Sequence, residues 1–370
     1  MQAGLRIALA ASSGGAFSVA GLPQWSAAVR AARNGAGGAR VLAIGDSTVQ
    51  GSNAQEGNAF GLRDHAWPAE LQKLMAASGR TAASRRSSFF GGGSGFNLAS
   101  LMAMDPRWSG SGWIQGDYAA VGRNLFRQNN STTGTLTFTP GGGFDTVDLW
   151  ADHGGSGGLL EVVTGGVVRA TIDLAVGAPK TAFYSVAVPA GSTAVSFRRN
   201  GATGTSLYFN AICVRNASEA RIEVMNGGWH GSKIADWLTS SEPWSAFNGV
   251  VTFGQALTIL CCNINDSKAP TSLVTYRAGM LSLLKRAREV GDAMLVTSAP
   301  SDPASVSYAT QQTYVDAAIS AAQEAGAAVL DLWRARGGTY NAALMSDDVH
   351  STHAGYQDAA GLIYRALGSP

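Results

Sequence analysis

Three stretches of the chain carry three different hydrophobic rhythms. Near the start, Pro23-Gln24-Trp25 opens a helical pattern over Ser26 to Arg33, and Gly35-Ala36-Gly37-Gly38 ends it. The unbroken apolar run Val41 to Ile44 has the length and composition of a buried strand. Trp67-Pro68 opens a second helix through about Ala77, with Leu71, Leu74 and Met75 on one face. From about Thr81 to Glu219 the period drops to two. Short alternating runs (Thr135–Phe138, Thr146–Trp150, Leu159–Val163, Val167–Leu174, Phe183–Val188, Thr193–Phe197 and Leu207–Val214) are separated by turn clusters such as Pro140-Gly141-Gly142-Gly143 and Asn200-Gly201. Short strands at this spacing predict an antiparallel sandwich. After that, strand and helix patterns alternate again. Strands are expected at Arg221–Met225, Leu257–Cys262, Ala293–Thr297 and Ala328–Leu332, and helices at Ser232–Leu238, Thr271–Val290, Tyr308–Ala325 and Thr352–Leu367. Such alternation predicts a parallel sheet with helices on both faces.

The expected architecture is therefore one α/β/α domain built from both ends of the chain, residues 23–80 and 220–370. An all-β, jelly-roll-like sandwich of residues 81–219 interrupts it, and residues 1–22 form an irregular lead-in. A length of 370 residues is comfortable for two domains. The low charged content of 14% and the 47 glycines fit a surface of tight turns and neutral polar residues. A net charge of +2 without a basic run argues against nucleic acid as a partner. Three cysteines make no disulfide framework; Cys261 and Cys262 are adjacent in one apolar run and should point to opposite faces of a strand, and Cys213 also sits among apolar residues. No segment reaches the apolar length of a membrane span. The stretch Arg6-Ile7-Ala8-Leu9-Ala10-Ala11 is broken too early by Ser12-Ser13-Gly14-Gly15 to read as a clear signal peptide. An extracellular or virion-associated location is nonetheless favoured over the cytoplasm.

Chemistry collects where the α/β strands end. The first end is Gly45-Asp46-Ser47, the second Asn226-Gly227-Gly228-Trp229-His230-Gly231-Ser232, the third Asn263-Ile264-Asn265-Asp266, and the last segment is Asp347-Asp348-Val349-His350. Open α/β sheets bind ligands at the carboxyl ends of their strands. A serine there becomes a nucleophile only with a base beside it and a group that orients the base. Taken one at a time, each motif has a plainer reading: Ser47 as the cap of a following helix, Asn265 as a turn residue, His350 as a surface histidine.

In order and spacing, the four segments resemble the SGNH (GDSL-type) hydrolase family. The resemblance covers residues 40–80 and 220–367 and implies a flavodoxin-like α/β/α fold and a serine esterase that needs no cofactor or metal. It makes Ser47 the nucleophile, His350 the general base and Asp347 its orienter. The backbone N–H groups of Ser47 and Gly231 and the side-chain amide of Asn265 become the oxyanion donors. Two positions depart from the family pattern: Asn263 stands where the third block usually begins with glycine, and Ser351 where proline often follows the histidine. Asp348 competes with Asp347 as orienter, and His353 competes with His350 as base without an aspartate three residues before it. Asp266 is expected to be structural. Trp229 and His230, beside the oxyanion glycine, either wall the pocket or pack against it.

The implied substrate is a short acyl ester, an O-acetyl group on a polysaccharide being favoured. The insertion is expected either to stabilise or oligomerise the protein or to hold a glycan, with Trp108, Trp113, Tyr118 or Trp150 stacking on sugar rings. Two other readings stay open: a carbohydrate-binding, phage-tail-like adhesion protein with a vestigial site, and an acyltransferase on the same scaffold.

Overall fold

The computed structural model describes residues 17–18, 21–54, 62–77, 86–89, 92, 96–117, 119–128, 133–153, 157–201 and 206–368. Its centre is a six-stranded sheet with the spatial order Phe17–Ser18, Ala328–Leu330, Asp292–Val296, Leu257–Cys261, Ala39–Gly45, Ile222–Gly228. All neighbours run parallel except the first pair. The short Phe17–Ser18 strand falls inside the stretch expected to be irregular, where it covers an edge by pairing with Leu330 and Val329.

Continuous apolar runs form these strands because both faces are covered. Leu42, Ile44, Met225, Leu260 and Leu295 pack with Tyr276, Met280, Leu284, Tyr314 and Ala318 of the helices Leu273–Ala287 and Tyr308–Ala325. Val41, Ala43, Val224, Ile259 and Cys261 face Trp25, Leu71, Met75, Tyr356 and Ile363 of the helices Pro23–Arg33, Trp67–Ala77 and His353–Ala366. Each fully buried side chain of this size contributes roughly 1.5–3 kcal/mol of transfer free energy. Cys261 belongs to one core layer and Cys262 to the other, as adjacent residues at a strand end must. All three cysteines are free and buried.

Residues from about 87 to 215 form two antiparallel sheets. One has the order Val167–Asp173, Leu159–Thr164, Val195–Arg199, Leu136–Phe138, Trp108–Gly110. The other has the order Lys180–Ser192, Phe144–His153, Leu207–Arg215, Asn124–Gln128, Ile114–Asp117, and Ser87–Phe89 also pairs with Leu207–Arg215. Val147, Leu149, Phe209, Ile212 and Val214 of the second sheet meet Leu136, Phe138, Leu160, Val162 and Phe197 of the first. The helix Leu98–Met104, which alternation does not announce, fills one end of this core with Leu101 and Met104.

Part of the outer face of the second sheet is covered by the α/β body. Trp150 lies within the core of the α/β body, its ring 5.3 Å from that of Phe253, and its indole N–H donates to the Thr252 carbonyl at 3.0 Å. The Arg40 guanidinium sits 4.9 Å over the same ring and 3.7 Å from the Asp148 carboxylate. This corrects one expectation. Trp108, Trp113 and Trp150 are at most 3% exposed, so none can stack on a sugar: large aromatic faces are the cheapest way to fill the spaces between layers. Tyr118 lies outside the described residues. Among the described residues no helix is long and apolar enough to cross a membrane.

Candidate active site

Ser47 begins a single helical turn, Ser47–Gln50, immediately after the strand Ala39–Gly45. Two glycines make the close approach possible. A Cβ on Gly45, whose φ is +146°, would stand 1.8 Å from the Cys261 carbonyl oxygen, and one on Gly228 would stand 2.2 Å from the Gln50 nitrogen. The capping role considered for Ser47 belongs to Asp46. Its Oδ1 accepts from the Thr48 N–H at 2.9 Å and the Thr48 hydroxyl at 2.7 Å. Its Oδ2 is buried and without a partner among the described residues, and burial pushes the carboxyl up to about 6.

His350 and Asp347 arrive on the loop between the short helix Leu332–Ala335, which follows the strand Ala328–Leu330, and the last helix. The loop is held by backbone bonds from Ser346 N to His350 O and from Thr352 N to Leu344 O, both 2.9 Å. The Tyr340 hydroxyl also donates to the Asp347 carbonyl at 3.1 Å. His350 Nε2 stands 2.8 Å from Ser47 Oγ, and His350 Nδ1 stands 2.7 Å from Asp347 Oδ2. Asp347 Oδ1 accepts the N–H groups of Val349 at 2.8 Å and His350 at 2.6 Å. Burial opposes ionisation of this carboxyl, but its hydrogen bonds, led by that from the His350 ring, outweigh burial and hold it well below the usual carboxylate range.

The competing assignments go elsewhere. Asp348 turns outward to Lys268 Nζ at 2.5 Å, and that bond is the main cause of its lowered pKa. His353 Nε2 bonds Glu70 Oε1 at 2.8 Å, and its ring stacks on His65 with centroids 4.0 Å apart. The histidines look dispersed in the sequence; in the fold, four of the five form two stacked pairs, His65 with His353 and His230 with His350.

Strand register delivers the candidate oxyanion donors. Gly45 is paired with Gly228 on one side and Cys261 on the other, so the segments after those two strands emerge flanking Ser47. Gly231 is exposed at φ +75°, and the Asn265 amide donates one N–H to the Ser232 carbonyl at 2.9 Å. A primary amide has two such hydrogens, so this bond orients Asn265 and leaves a second donor. Among the described residues, neither the Ser47 N–H nor the Gly231 N–H has a hydrogen-bond acceptor. Three donors at the end of one sheet can stabilise the oxyanion of a tetrahedral intermediate.

Trp229 is not a pocket wall. It is 2% exposed and packs on Trp237 with centroids 5.6 Å apart, because its backbone N–H is tied to the Gly45 carbonyl at 2.8 Å and turns the ring inward. His230 does border the site. Its ring lies parallel to that of His350 at 6.1 Å, its Nδ1 is 2.9 Å from Ser52 Oγ, and its backbone N–H reaches the Gly92 carbonyl. Burial, helped by neighbouring His350, lowers its pKa.

Asp266 accepts from the Ile234 N–H at 2.9 Å and the Thr271 hydroxyl at 2.7 Å, which braces the loop below Asn265. The two departures from the family pattern are absorbed locally. Asn263 Oδ1 accepts the Ser298 N–H at 3.0 Å, and Ser351 is buried in a bridge to Met345. One contributor has no signature in the sequence: the Asn53 amide donates to Asp347 Oδ2 at 2.5 Å.

Comparisons with known proteins bear on both the family and the fold. Residues 192–357 match the model of the GDSL-like lipase/acylhydrolase family. The match contains Gly231, Asn265, Asp347 and His350; Ser47 lies before it, on the far side of the inserted sheets. Among solved structures, a peptidoglycan O-acetylesterase matches with a TM-score of 0.68 at 17% identity, covering 96% of this chain and 99% of its own. The sandwich is therefore part of the shared fold. A Bacillus subtilis protein gives a TM-score of 0.36 at 14% identity over 78% of this chain and 93% of that one. An acetylxylan esterase from Geobacillus stearothermophilus gives 0.34 at 21% identity over 41% and 75%. No curated protein matches the chain.

Proposed function

From the premise that this chain carries a GDSL-like lipase/acylhydrolase domain, we propose that it is a serine O-acetylesterase acting on acetylated glycan, with Ser47, His350 and Asp347 as its triad. The observation that carries the reading is the unbroken chain of contacts from Ser47 Oγ to His350 Nε2 at 2.8 Å and from His350 Nδ1 to Asp347 Oδ2 at 2.7 Å. In the first half-reaction Ser47 Oγ attacks the acetyl carbonyl while its proton passes to His350 Nε2. The oxyanion takes hydrogen bonds from the backbone N–H groups of Ser47 and Gly231 and from the Asn265 amide. Collapse breaks the ester C–O bond, and the sugar hydroxyl leaves with the proton from His350. Water then repeats the sequence on the acetyl-enzyme and releases acetate. Asp347, ionised throughout, fixes the imidazole tautomer and stabilises the imidazolium.

The glycan assignment is supported by likeness in fold over nearly the whole chain, sandwich included, to a peptidoglycan O-acetylesterase. Ser47→Ala tests the reading. The expected result is a folded protein whose acetate release from p-nitrophenyl acetate and from O-acetylated peptidoglycan falls by about 10⁴-fold or more. Full activity in that variant refutes the nucleophile. Activity of the wild-type protein on the aryl ester without release from the polymer refutes the substrate class alone.

A further inference from the structure

We propose that Asn53 is a positioning residue for the Asp347–His350 pair, a reading that rests on the esterase function above. The turn Gly51-Ser52-Asn53 follows the helical turn of Ser47 directly. Gly51 has φ +97° and caps it through the bond from its N–H to the Ser47 carbonyl, and the Ser52 N–H reaches the same carbonyl. Asn53 then enters the left-handed region with φ +56°, one of only two described non-glycine residues to do so. Asparagine is among the residues that tolerate this conformation best, yet glycine would hold it with less strain. Asparagine also brings an amide that glycine lacks.

Its amide reaches Asp347 Oδ2, the same oxygen that accepts from the His350 ring. The group facing a carboxylate must be the NH₂, because the amide carbonyl would be repelled there. Both oxygens of Asp347 thus accept two donors each. The turn itself is pinned from behind, where the buried Tyr356 hydroxyl donates to the Ser52 carbonyl at 2.9 Å. The consequence is mechanical and electrostatic. Asn53 links the segment carrying the nucleophile to the loop carrying the base, across 294 residues of sequence, and so fixes the His350 ring against Ser47 Oγ. By drawing charge from Asp347 Oδ2 it also limits how strongly Asp347 stabilises the imidazolium, keeping His350 a base that can return its proton to the leaving alcohol.

Among the described residues, the ionisable groups around the pair are Asp46 below Ser47, His230 stacked on His350, Tyr340 with its hydroxyl on the Asp347 carbonyl, the buried Tyr356, which feels the charge of Asp347, and Asp348, which points away to Lys268. Of these, the carboxylate of Asp347 is the one that the Asn53 side chain touches.

The deciding variants are Asn53→Gly, which keeps the backbone conformation and deletes the amide, and Asn53→Asp, which keeps the shape and substitutes a carboxylate. For each, kcat and KM on p-nitrophenyl acetate and the His350 pKa by ¹⁵N NMR are measured beside wild type and Ser47→Ala. Asn53→Gly should remain folded, lose about 10-fold in kcat with KM little changed, and raise the His350 pKa. In Asn53→Asp two carboxyls share one site and cannot both ionise, so one should hold a proton and the loss in kcat should grow as the pH rises and that proton leaves. An Asn53→Gly protein with wild-type kcat and an unmoved His350 pKa overturns the proposal. If Ser47→Ala keeps wild-type activity, the esterase reading falls, while the NMR titration still decides whether Asn53 governs Asp347 and His350.

Discussion

Two histidine–carboxylate pairs stand three residues apart in this protein, and they differ in what occupies the second nitrogen. His350 bonds Asp347 through Nδ1 and presents Nε2 to the Ser47 hydroxyl. His353 spends Nε2 on Glu70, a carboxylate already engaged by Lys73 Nζ at 2.7 Å. Each pair has a second histidine stacked beside it, at 6.1 Å for His350 and 4.0 Å for His353. Each site thus combines an imidazole, a carboxylate and a second histidine ring, with Lys73 added at Glu70. What separates a candidate general base from a helix brace is one hydroxyl within hydrogen-bond reach. Burial sharpens the contrast: the His350 side chain is 13% exposed and that of His353 36%.

Breaking each pair in turn should expose that difference. The largest expected effect is that of His350→Ala, a loss of about 10⁴-fold or more in aryl acetate turnover, against a change within about twofold for His353→Ala. Equal losses in both would erase the distinction. Next comes the choice between the neighbouring aspartates. Asp347→Asn presents the wrong partner to His350 Nδ1 and should lower kcat by about 10³–10⁴-fold, whereas Asp348→Asn, which weakens bonds to Lys268 and Ser305 away from Ser47, should leave kcat within about twofold. Steady-state kinetics on the two variants decides this, and a reversed order would reassign the orienter.

The smallest effect is on stability and concerns Asp46, the carboxylate without a histidine. Its folded pKa, about 6, is raised above the unfolded value, so the folded state binds its proton more tightly. Stability referred to this group is highest below about pH 4 and declines as the pH climbs toward 6. An asparagine side chain at this position has no such titration and can still cap the helical turn. The melting temperature of Asp46→Asn relative to wild type should therefore become more favourable between about pH 4 and 7, and a difference independent of pH would contradict the assigned shift. Asp347 works in the opposite sense. Its depressed pKa contributes stability above about pH 4 that is lost as the pH falls, so Asp347→Asn should cost more at about pH 7 than at about pH 3.

How much of this was legible in the chain varied with the distance over which each decision is made. The run Val41–Ile44 and its stop at Gly45-Asp46-Ser47 are local, and the strand and turn form there. The helices Trp67–Ala77 and Tyr308–Ala325 follow their apolar spacing. Trp150 was legible only in part: alternation places it opposite Leu149, but nothing nearby states that the opposite face meets Phe253 and Thr252 rather than water or sugar. Trp229 was left between two roles for the same reason, since standing beside Gly231 does not reveal which way its ring turns. Asn53 was invisible because its partner is remote and its conformation is set by the turn it closes.

The sequence alone therefore determined the periods of its strands and helices, the split of an α/β body by an antiparallel insertion, and the set of polar groups waiting at the strand ends. Those are properties of neighbours, written within a few residues of one another. Only the tertiary structure decided which of two aspartates and two nearby histidines line up on the Ser47 hydroxyl, which aromatics are core, and which amide reaches the carboxylate. Both loop aspartates satisfy the same local grammar. The difference is a register of parallel strands that brings one of them to 2.7 Å from a histidine facing a hydroxyl 303 residues away and turns the other toward a lysine.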